Sequence, residues 1–311
     1  MLQMCSKRTR RWIKSFRVHR QDLKIEVTYY FSIRVEIKSH ATKEYLVFKF
    51  TDHTTEMNRS IGIGNHQDIP MNIEIVEDSA EYFIFLYFDD KMKGLKAVTE
   101  YFCSLFQQDI YGVGLSSALN PNAPMTVMEW ILERQQRIHY LMMGSENMSE
   151  KVAAYLLSKV NNAESVMVEL QLSSNFRSSF KFEGDDISIQ ESHWFTLDNL
   201  LNISCFNLFL VESKLTSMDM NAFLKHWMTR DLKFKEITIG MEVMQLDVLF
   251  SEISVIQRTN DVKRVYKNSE NRSFHIYGGF DIKRKDGVTA TVVHNGGFEV
   301  KRKFWMIVWD N

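Results

Sequence analysis

The sequence predicts an α/β protein in which a leucine-rich-repeat-like β-α solenoid, a short parallel sheet with helices on one side, is flanked by antiparallel β regions. Three observations indicate this fold. A strand–helix–strand unit lies between Leu200 and Gly240, similar units recur at a nearly constant spacing, and residues alternate with a period of two at both ends. Because solenoids mostly present extended binding surfaces, the fold class favours a binding protein.

The unit from Leu200 to Gly240 opens with an apolar strand around residues 206–211. Thr216 can cap the following helix while Asp219 reaches back to the cap, which is the pattern of a capping box. Apolar side chains then recur at helical spacing, and a second apolar run opens the next strand. The helical stripe consists of Met220, Phe223, Leu224, Trp227 and Met228.

Strand–helix alternation extends this unit into a series. The steps between strand centres are 28, 27, 40 and 29 residues, and the centres are Val113, Leu141, Val168, Leu208 and Ile237. We interpret residues 181–191, within the long step, as an inserted hairpin or loop. The period lies at the long end of leucine-rich repeats, but the Asn or Cys of their consensus is missing, so only the architecture is similar. Helices are predicted at residues 95–106, 125–136, 149–160 and 246–256.

Both ends of the chain have a period of two, which is typical of strands. Residues 25–50 predict a hairpin around a turn at 39–44, and further strands are predicted at 71–77 and 82–88, with Gly62–Asn65 as a loop. Near the carboxy terminus, Asp286-Gly287 and Asn295-Gly296-Gly297 are strong hairpin signals. The sequence therefore predicts a small antiparallel sheet that closes the solenoid.

Composition restricts the class of protein. The 311 residues are 45% apolar with only three prolines, which indicates a globular chain. A net charge of -1 gives no general attraction to nucleic acid or to an anionic membrane, and the longest apolar run is too short to span a bilayer. Three widely spaced cysteines indicate reduced, inert thiols. We therefore expect a cytoplasmic or nuclear protein with no membrane segment.

No motif announces catalysis. G-x-S-x-G, G-x-x-x-x-G-K-[ST], H-E-x-x-H and C-x-x-C are all missing, so we predict a non-enzyme with no cofactor and no metal site. Histidines His193 and His226 are interpreted as helix-edge residues. The basic run Lys7–Arg11 could bind phosphate or form a solvated helix face, and the aromatic strands are more typical of core packing than of base stacking. These patterns argue against a nucleic-acid partner.

The sheet face opposite the core is the candidate surface for a protein partner. Several of its residues are large and apolar, which is typical of an interaction surface, although amino-terminal strands covering the same residues would give the same pattern. This candidate partner face consists of Tyr140, Met142, Met167, Glu169, Gln171, Asn207, Phe209, Val211, Glu236 and Thr238.

Three stretches resemble the nematode-expanded family of F-box proteins that carry a type 2 F-box-associated domain. CSKRTRRWIKSF at Cys5–Phe16 is similar to the final F-box helix and its exit, SKLTSMDMNAFLKHWM at Ser213–Met228 to the central repeat helix, and GGFDIKRKDGVTATV at Gly278–Val292 to the carboxy-terminal signature. In that family the F-box docks on the Skp-type adaptor of a cullin ubiquitin ligase, and the associated domain recruits the protein to be ubiquitinated.

The resemblance implies a domain organisation. Residues 1–20 would be the remnant of an F-box, with Trp12, Ile13 and Phe16 as the remains of the adaptor-docking surface. Residues 21–311 would be the associated domain, divided into an amino-terminal β region at 21–90, αβ repeats at 91–256 and an antiparallel β region at 257–311.

The opening helices of the F-box do not precede Cys5, so we expect a truncated F-box. Loss of these helices removes most of the docking surface, which argues against retained adaptor binding. The predicted function is the substrate-recruiting part of an F-box subunit. The alternative is a scaffold or decoy that binds the same targets without the ligase.

Overall fold

The computed structural model describes residues 23–39, 43, 45–52, 59–75, 81–145, 147–268, 271–293 and 304–309. The protein is a mixed α/β protein dominated by sheet. It divides into two compact units, Met1–Gly144 and Ser145–Asn311. Each unit contains both strands and helices.

The described part of the first unit forms a mixed sheet with the strand order β8-β7-β1-β2-β3-β6-β5-β4. Strands β1, β2 and β3 form an antiparallel meander, β7 runs parallel to β1, and β8 runs parallel to β7. The strands are β1 (Leu23–Tyr29), β2 (Ile33–Ser39), β3 (Tyr45–Thr51), β4 (Arg59–Ile63), β5 (His66–Ile75), β6 (Glu81–Tyr87), β7 (Ile110–Leu115) and β8 (Ile138–Ser145).

Two helices, α1 (Lys91–Phe106) and α2 (Ala123–Arg134), cover one face of this sheet. Helix α1 begins at the Asp90 cap, whose carboxylate accepts hydrogen bonds from two backbone amides. It packs on β1, β2 and β3, and the rings of Phe102 and Phe48 lie 4.8 Å apart. Because neighbouring residues of a strand point to opposite faces, the other half of each strand lies on the face away from α1.

The described part of the second unit also forms a mixed sheet, in the order β9-β10-β11-β12-β16-β15-β14-β13. Strands β9 to β12 are parallel, and the remaining pairs are antiparallel. Its elements are α3 (Glu150–Leu157), β9 (Ala163–Leu170), β10 (Asp186–Ile189), α4 (Leu197–Leu201), β11 (Asn207–Ser213), α5 (Ser217–Thr229), β12 (Glu236–Met241), α6 (Leu246–Leu249), β13 (Ile256–Lys267), β14 (Ser273–Lys283), β15 (Thr289–Val293) and β16 (Phe304–Val308).

Helix α5 follows the local rules of its sequence. Thr216 accepts a hydrogen bond from the Asp219 amide, and the Asp219 carboxylate accepts one from the Thr216 amide, so the capping box is confirmed. The predicted apolar stripe is buried except for Met228, which is half-buried. The cap fixes where the helix begins, and the stripe fixes which side faces the core.

The structure does not show the leucine-rich-repeat-like solenoid. All five predicted strand centres lie in strands, but these strands belong to a mixed sheet that also contains many antiparallel pairs. The segment interpreted as an inserted hairpin or loop instead forms the parallel strand β10, which pairs with both β9 and β11. Buried Ile187 and Ile189 explain this result, since two alternating apolar residues suffice to seat a short strand between two neighbours.

Other predicted elements also differ. Residues 25–37 form two strands, because the chain turns at Tyr30–Ser32 and places β2 antiparallel to β1. In the predicted Gly62–Asn65 loop, Gly62 and Ile63 end β4, and only Gly64 and Asn65 form the tight β4–β5 turn, in which Gly64 has a positive φ of 63°. The helix predicted over 246–256 ends at Leu249, and Ile256 already begins β13.

The predicted carboxy-terminal sheet is antiparallel as expected, and Gly287 forms the β14–β15 turn with a positive φ of 97°. The Asn295-Gly296-Gly297 turn and the predicted F-box remnant at residues 1–20 lie outside the described residues. No described helix has the length and hydropathy needed to span a bilayer.

Candidate functional site

The second unit places most of the candidate partner face on β9, β11 and β12, three of its four neighbouring parallel strands. Met167 of β9, Phe209 of β11 and Thr238 of β12 lie in one cross-strand row, in which Ser188 of β10 stands between the first two. Buried residues of the same strands alternate with them and point to the opposite face. Met167, Glu169, Phe209 and Val211 are half-buried, whereas Gln171 follows β9 and is exposed.

Tyr140 and Met142 belong to β8 of the first unit, so the predicted face divides between the two units. The adaptor-docking residues Trp12, Ile13 and Phe16 lie outside the described residues. The candidate partner face therefore stays a prediction. Most of its residues lie on or next to strands β9–β12.

A second row on this face is polar. Asp186 accepts hydrogen bonds from Ser165 at 3.2 Å and from Asn207 at 2.5 Å, and Glu236 is the cross-strand neighbour of Asn207. Asp186 begins the parallel strand β10 and is half-buried, within the segment 181–191 that the sequence predicted as an inserted hairpin or loop. Only the register of four parallel strands brings these residues together, so no local pattern could have shown it.

The carboxy-terminal strands cover the β12 end of the face. Glu236 accepts hydrogen bonds from Tyr266 at 3.1 Å and Trp305 at 2.8 Å, and Thr238 is only 3% exposed. Burial, followed by the Glu236 charge, raises the pKa of Tyr266, so this phenol stays protonated. The carboxy-terminal strands therefore cover Glu236 and Thr238. The accessible part of the face lies on β9, β10 and β11.

A cleft of about 780 Å³ opens beside this accessible part. It carries acidic and amide groups of β10 and β11 on one side and aromatic groups of the carboxy-terminal strands on the other. The lining residues are Asp185, Asp186, Phe206, Asn207, Lys235, Val265, Tyr266, Lys267, Asn268, Val308 and Trp309. Sequence reasoning missed Tyr266 and Trp309, although the aromatic run at 304–309 was a visible signal.

Asp281 fixes the strands that carry the aromatic wall. It is 5% exposed and binds Arg258 at 2.7 Å, Arg264 at 3.0 Å and Thr291 at 2.6 Å. Burial alone would raise the pKa of Asp281, but the hydrogen bonds from these three residues outweigh it and hold the pKa below its usual value. The Arg264 guanidinium also lies 4.8 Å from the centre of the Trp309 ring.

The first unit has an open face of its own on β1, β2 and β3, on the side away from α1. It carries the cations Lys24, Arg34, Lys38 and Lys49 and the acids Glu26 and Glu36. A groove of about 390 Å³ lies on its β7 side, where Gly112 and Gly114 form a floor without side chains. Its walls include Thr28, Phe31, Tyr140 and Met142.

The described cysteines, Cys103 and Cys205, and the histidines His193 and His226 have the following surroundings. Cys103 and Cys205 are buried, and burial raises the pKa of Cys103 to about 12 and that of Cys205 further, which keeps both as thiols. His193 bonds the Leu172 carbonyl at 2.9 Å, and burial with the nearby Arg230 charge lowers the pKa of His226. Among the described residues, no three His, Cys, Asp or Glu side chains are grouped as metal ligands.

Residues 172–250 match the protein family described as F-box associated. The matched segment begins just after β9 and runs through β10, β11, α5 and β12 to α6. It therefore contains the β10 and β11 part of the accessible face and the middle stretch, Ser213–Met228, that carried the family resemblance. This segment is therefore similar to F-box-associated domains.

Two curated proteins of Caenorhabditis elegans are similar to parts of the chain. The Skn-1 dependent zygotic transcript 15 protein is 28% identical over 133 residues, which cover 40% of this chain and 34% of that protein. The E3 ubiquitin-protein ligase hecw-1 is 40% identical over 47 residues, covering 15% of this chain and 4% of that protein. The chain therefore spans about a third of the first relative and a small fraction of the second. No solved structure matches the chain.

Proposed function

We propose that this protein is a non-catalytic module that binds target proteins through the accessible β9–β11 part of the candidate partner face. The F-box-associated match carries the proposal, because it covers the strands β10 and β11 that present this surface. The half-buried Met167, Phe209 and Val211 supply apolar contact area, and the polar row at Asp186 and Asn207 supplies hydrogen-bonding groups that select a partner.

In its finer form, the proposal makes the protein the substrate-recruiting part of a cullin-type ubiquitin ligase, acting in the cytoplasm or nucleus. Residues 1–20 are then the F-box remnant and residues 21–311 the recruiting domain. The rival is a scaffold or decoy that binds the same targets without a Skp-type adaptor. The ligase and scaffold hypotheses share the binding face and differ in whether bound targets become ubiquitinated.

A charge placed on the partner face tests the binding function. Phe209→Lys puts an ammonium group in the cross-strand row of Met167, Ser188, Phe209 and Thr238. We expect it to reduce, about tenfold or more, the amount of target protein that the wild-type chain recovers by affinity purification from nematode cells. Met218→Lys is the matched control because Met218 is 72% exposed on α5, within the same family-matched segment. Equal recovery with both variants would contradict the assigned face.

The ligase hypothesis is tested by a second measurement on the same purified samples. We expect a Skp-type adaptor and a cullin to be recovered together with the targets, and the targets to carry more ubiquitin when the wild-type chain is expressed than when Phe209→Lys is. Targets recovered with no adaptor, no cullin and no change in ubiquitin would establish the scaffold instead.

A further inference from the structure

The open face of the first unit carries more positive charge than its own acids neutralise. Lys38 bridges two acids, binding Glu26 at 2.5 Å and Glu36 at 2.9 Å, and Arg34 also pairs with Glu36. Burial lowers the pKa of Lys38, but these acids more than offset it and leave that pKa raised. Glu26 and Glu36, the two acids of this face on β1–β3, are therefore paired with Arg34 and Lys38, which are two of its four cations.

The other two cations of this face rest on aromatic rings. The Lys49 ammonium lies 4.1 Å from the centre of the Phe83 ring and 5.6 Å from that of Phe85, and the Lys24 ammonium lies 3.6 Å from the centre of Tyr111. Within the described part of the chain, neither lysine has a carboxylate within 4.0 Å. A ring face attracts a cation without neutralising it, so both charges stay available to an anion.

The register of the strands makes this excess unfavourable in the free protein. Arg34 stands directly opposite Lys49 on β2 and β3, and Lys24 stands directly opposite Lys38 on β1 and β2. Like charges directly opposite each other in an antiparallel pair are destabilising. The ion pairs of Arg34 and Lys38 reduce this repulsion, and an acidic group bound at Lys49 or Lys24 reduces it further. The free energy gained when an acidic segment binds is larger beside Phe83, Phe85 and the 75% exposed Phe31, because apolar contacts with these rings displace water.

We propose that this face binds an extended, acidic segment of a partner protein, with carboxylates at Lys49 and Lys24 and apolar side chains on the neighbouring rings. Strand spacing places the two lysine backbone positions roughly 16 Å apart, which an extended segment of about five residues spans. The surface lies in the first unit, outside residues 172–250, so it goes beyond the proposed function and does not depend on it.

A nucleic-acid strand would also use cations and rings, but Glu26 and Glu36 in the middle of the face disfavour it. A phosphate backbone crossing from Lys24 to Lys49 would pass over both carboxylates, whereas a peptide can present neutral groups there. An acidic peptide is therefore the occupant that matches the distribution of charge.

Fluorescence anisotropy with the full chain tests the proposal. The probes are a fluorescein-labelled peptide of alternating glutamate and phenylalanine, its glutamine and lysine counterparts, and labelled oligothymidylate. We expect the glutamate peptide to bind about tenfold more tightly than the glutamine peptide at low salt, with the difference shrinking at about 0.3 M NaCl. Equal binding of these two peptides, or tighter binding of oligothymidylate, would overturn the proposal.

Variants assign the effect to Lys49. Lys49→Glu is expected to weaken binding of the glutamate peptide about tenfold, and Lys49→Arg to keep it within about twofold. Lys93→Glu is the matched control, since Lys93 is exposed on α1 and lies on the other side of the sheet. Thermal melting establishes that each variant is folded. If Lys49→Glu and Lys93→Glu bind the peptide equally, the assignment is wrong, whatever the result for the Phe209→Lys variant.

Discussion

Asp281 is a buried carboxylate that contacts two arginines and a threonine, and these contacts join β13, β14 and β15. Its carboxylate joins Arg258 and Arg264 of β13 to Thr291 of β15 while being 5% exposed. A buried carboxylate is tolerated because every contact favours its charged form. The aromatic wall of the cleft depends on this residue, since Arg264 in turn lies over Trp309.

Replacing Asp281 with asparagine tests this role. Asp281→Asn leaves two guanidinium groups without their counter-charge, and we expect the free energy of unfolding at neutral pH to fall by about 2 to 4 kcal/mol, measured by urea denaturation. Asp231→Asn is the control: Asp231 also faces an arginine but is 95% exposed, so its loss should leave the stability nearly unchanged.

We also expect the effect of Asp281→Asn on the free energy of unfolding to depend on pH. The folded pKa of Asp281 lies below its ordinary value of 3.8, so its stabilising contribution is fully present above that value and is lost as the pH falls through the lower folded pKa. The difference in stability between wild type and Asp281→Asn should therefore narrow below about pH 4. A difference that stays constant down to pH 2 or so would contradict the assigned charge state.

At the scale of the element, α5 shows how a local rule sets a boundary. Thr216→Ala removes one half of the capping box, and we expect a loss of about 1 kcal/mol in the free energy of unfolding, with Thr216→Ser restoring most of it. Thr229→Ala is the control, because Thr229 is exposed in the last turn of the same helix and bonds only carbonyls of that turn. A loss as large at Thr229 as at Thr216 would show that helix propensity, not the cap, is responsible.

The elements also show what the sequence could and could not predict. The cap and stripe of α5 and the five strand centres are confirmed, because each depends on residues close together in the chain. The turn at Tyr30–Ser32 was missed, since aromatic residues continue the strand pattern through it. Strand β10 was missed because four residues with two isoleucines are too short to separate from a loop.

The candidate site was less predictable than the elements. Alternation along β9 and β11 correctly separated the half-buried residues from the core, since that pattern is local. The contacts of Glu236 with Tyr266 and Trp305 join residues 30 and 69 positions apart, so only the pairing of strands creates them. The cation pairs of the first unit depend in the same way on the register between β1, β2 and β3.

At the scale of the whole molecule, the described residues of each unit include one buried thiol that reports on the core of that unit. Cys103 lies on α1 of the first unit and Cys205 precedes β11 of the second, and burial raises the pKa of both thiols. A thiol reacts as its thiolate, so both residues should resist modification until their own unit opens.

Maleimide labelling in a Cys5→Ser background measures this protection. We expect neither thiol to react in the native protein at pH 8 or so during a time that labels the unfolded chain completely, and each to become reactive in a single step as denaturant is added. Labelling is read separately for each cysteine by peptide mass spectrometry. Rapid labelling of either thiol in the native protein would show that its core opens locally.

Strand β13 is the outermost strand of the second sheet and pairs with β14 alone among the described strands. A straight strand of this length would offer a template on which another copy could grow a continuous sheet. Here the register with β14 shifts between Arg258 and Lys263, where Gly278 adopts a φ of 64° that accommodates the bulge, and Lys263 and Lys267 add charge along the rim. The bulge and the lysines make this rim an unfavourable template for pairing with the strand of another copy.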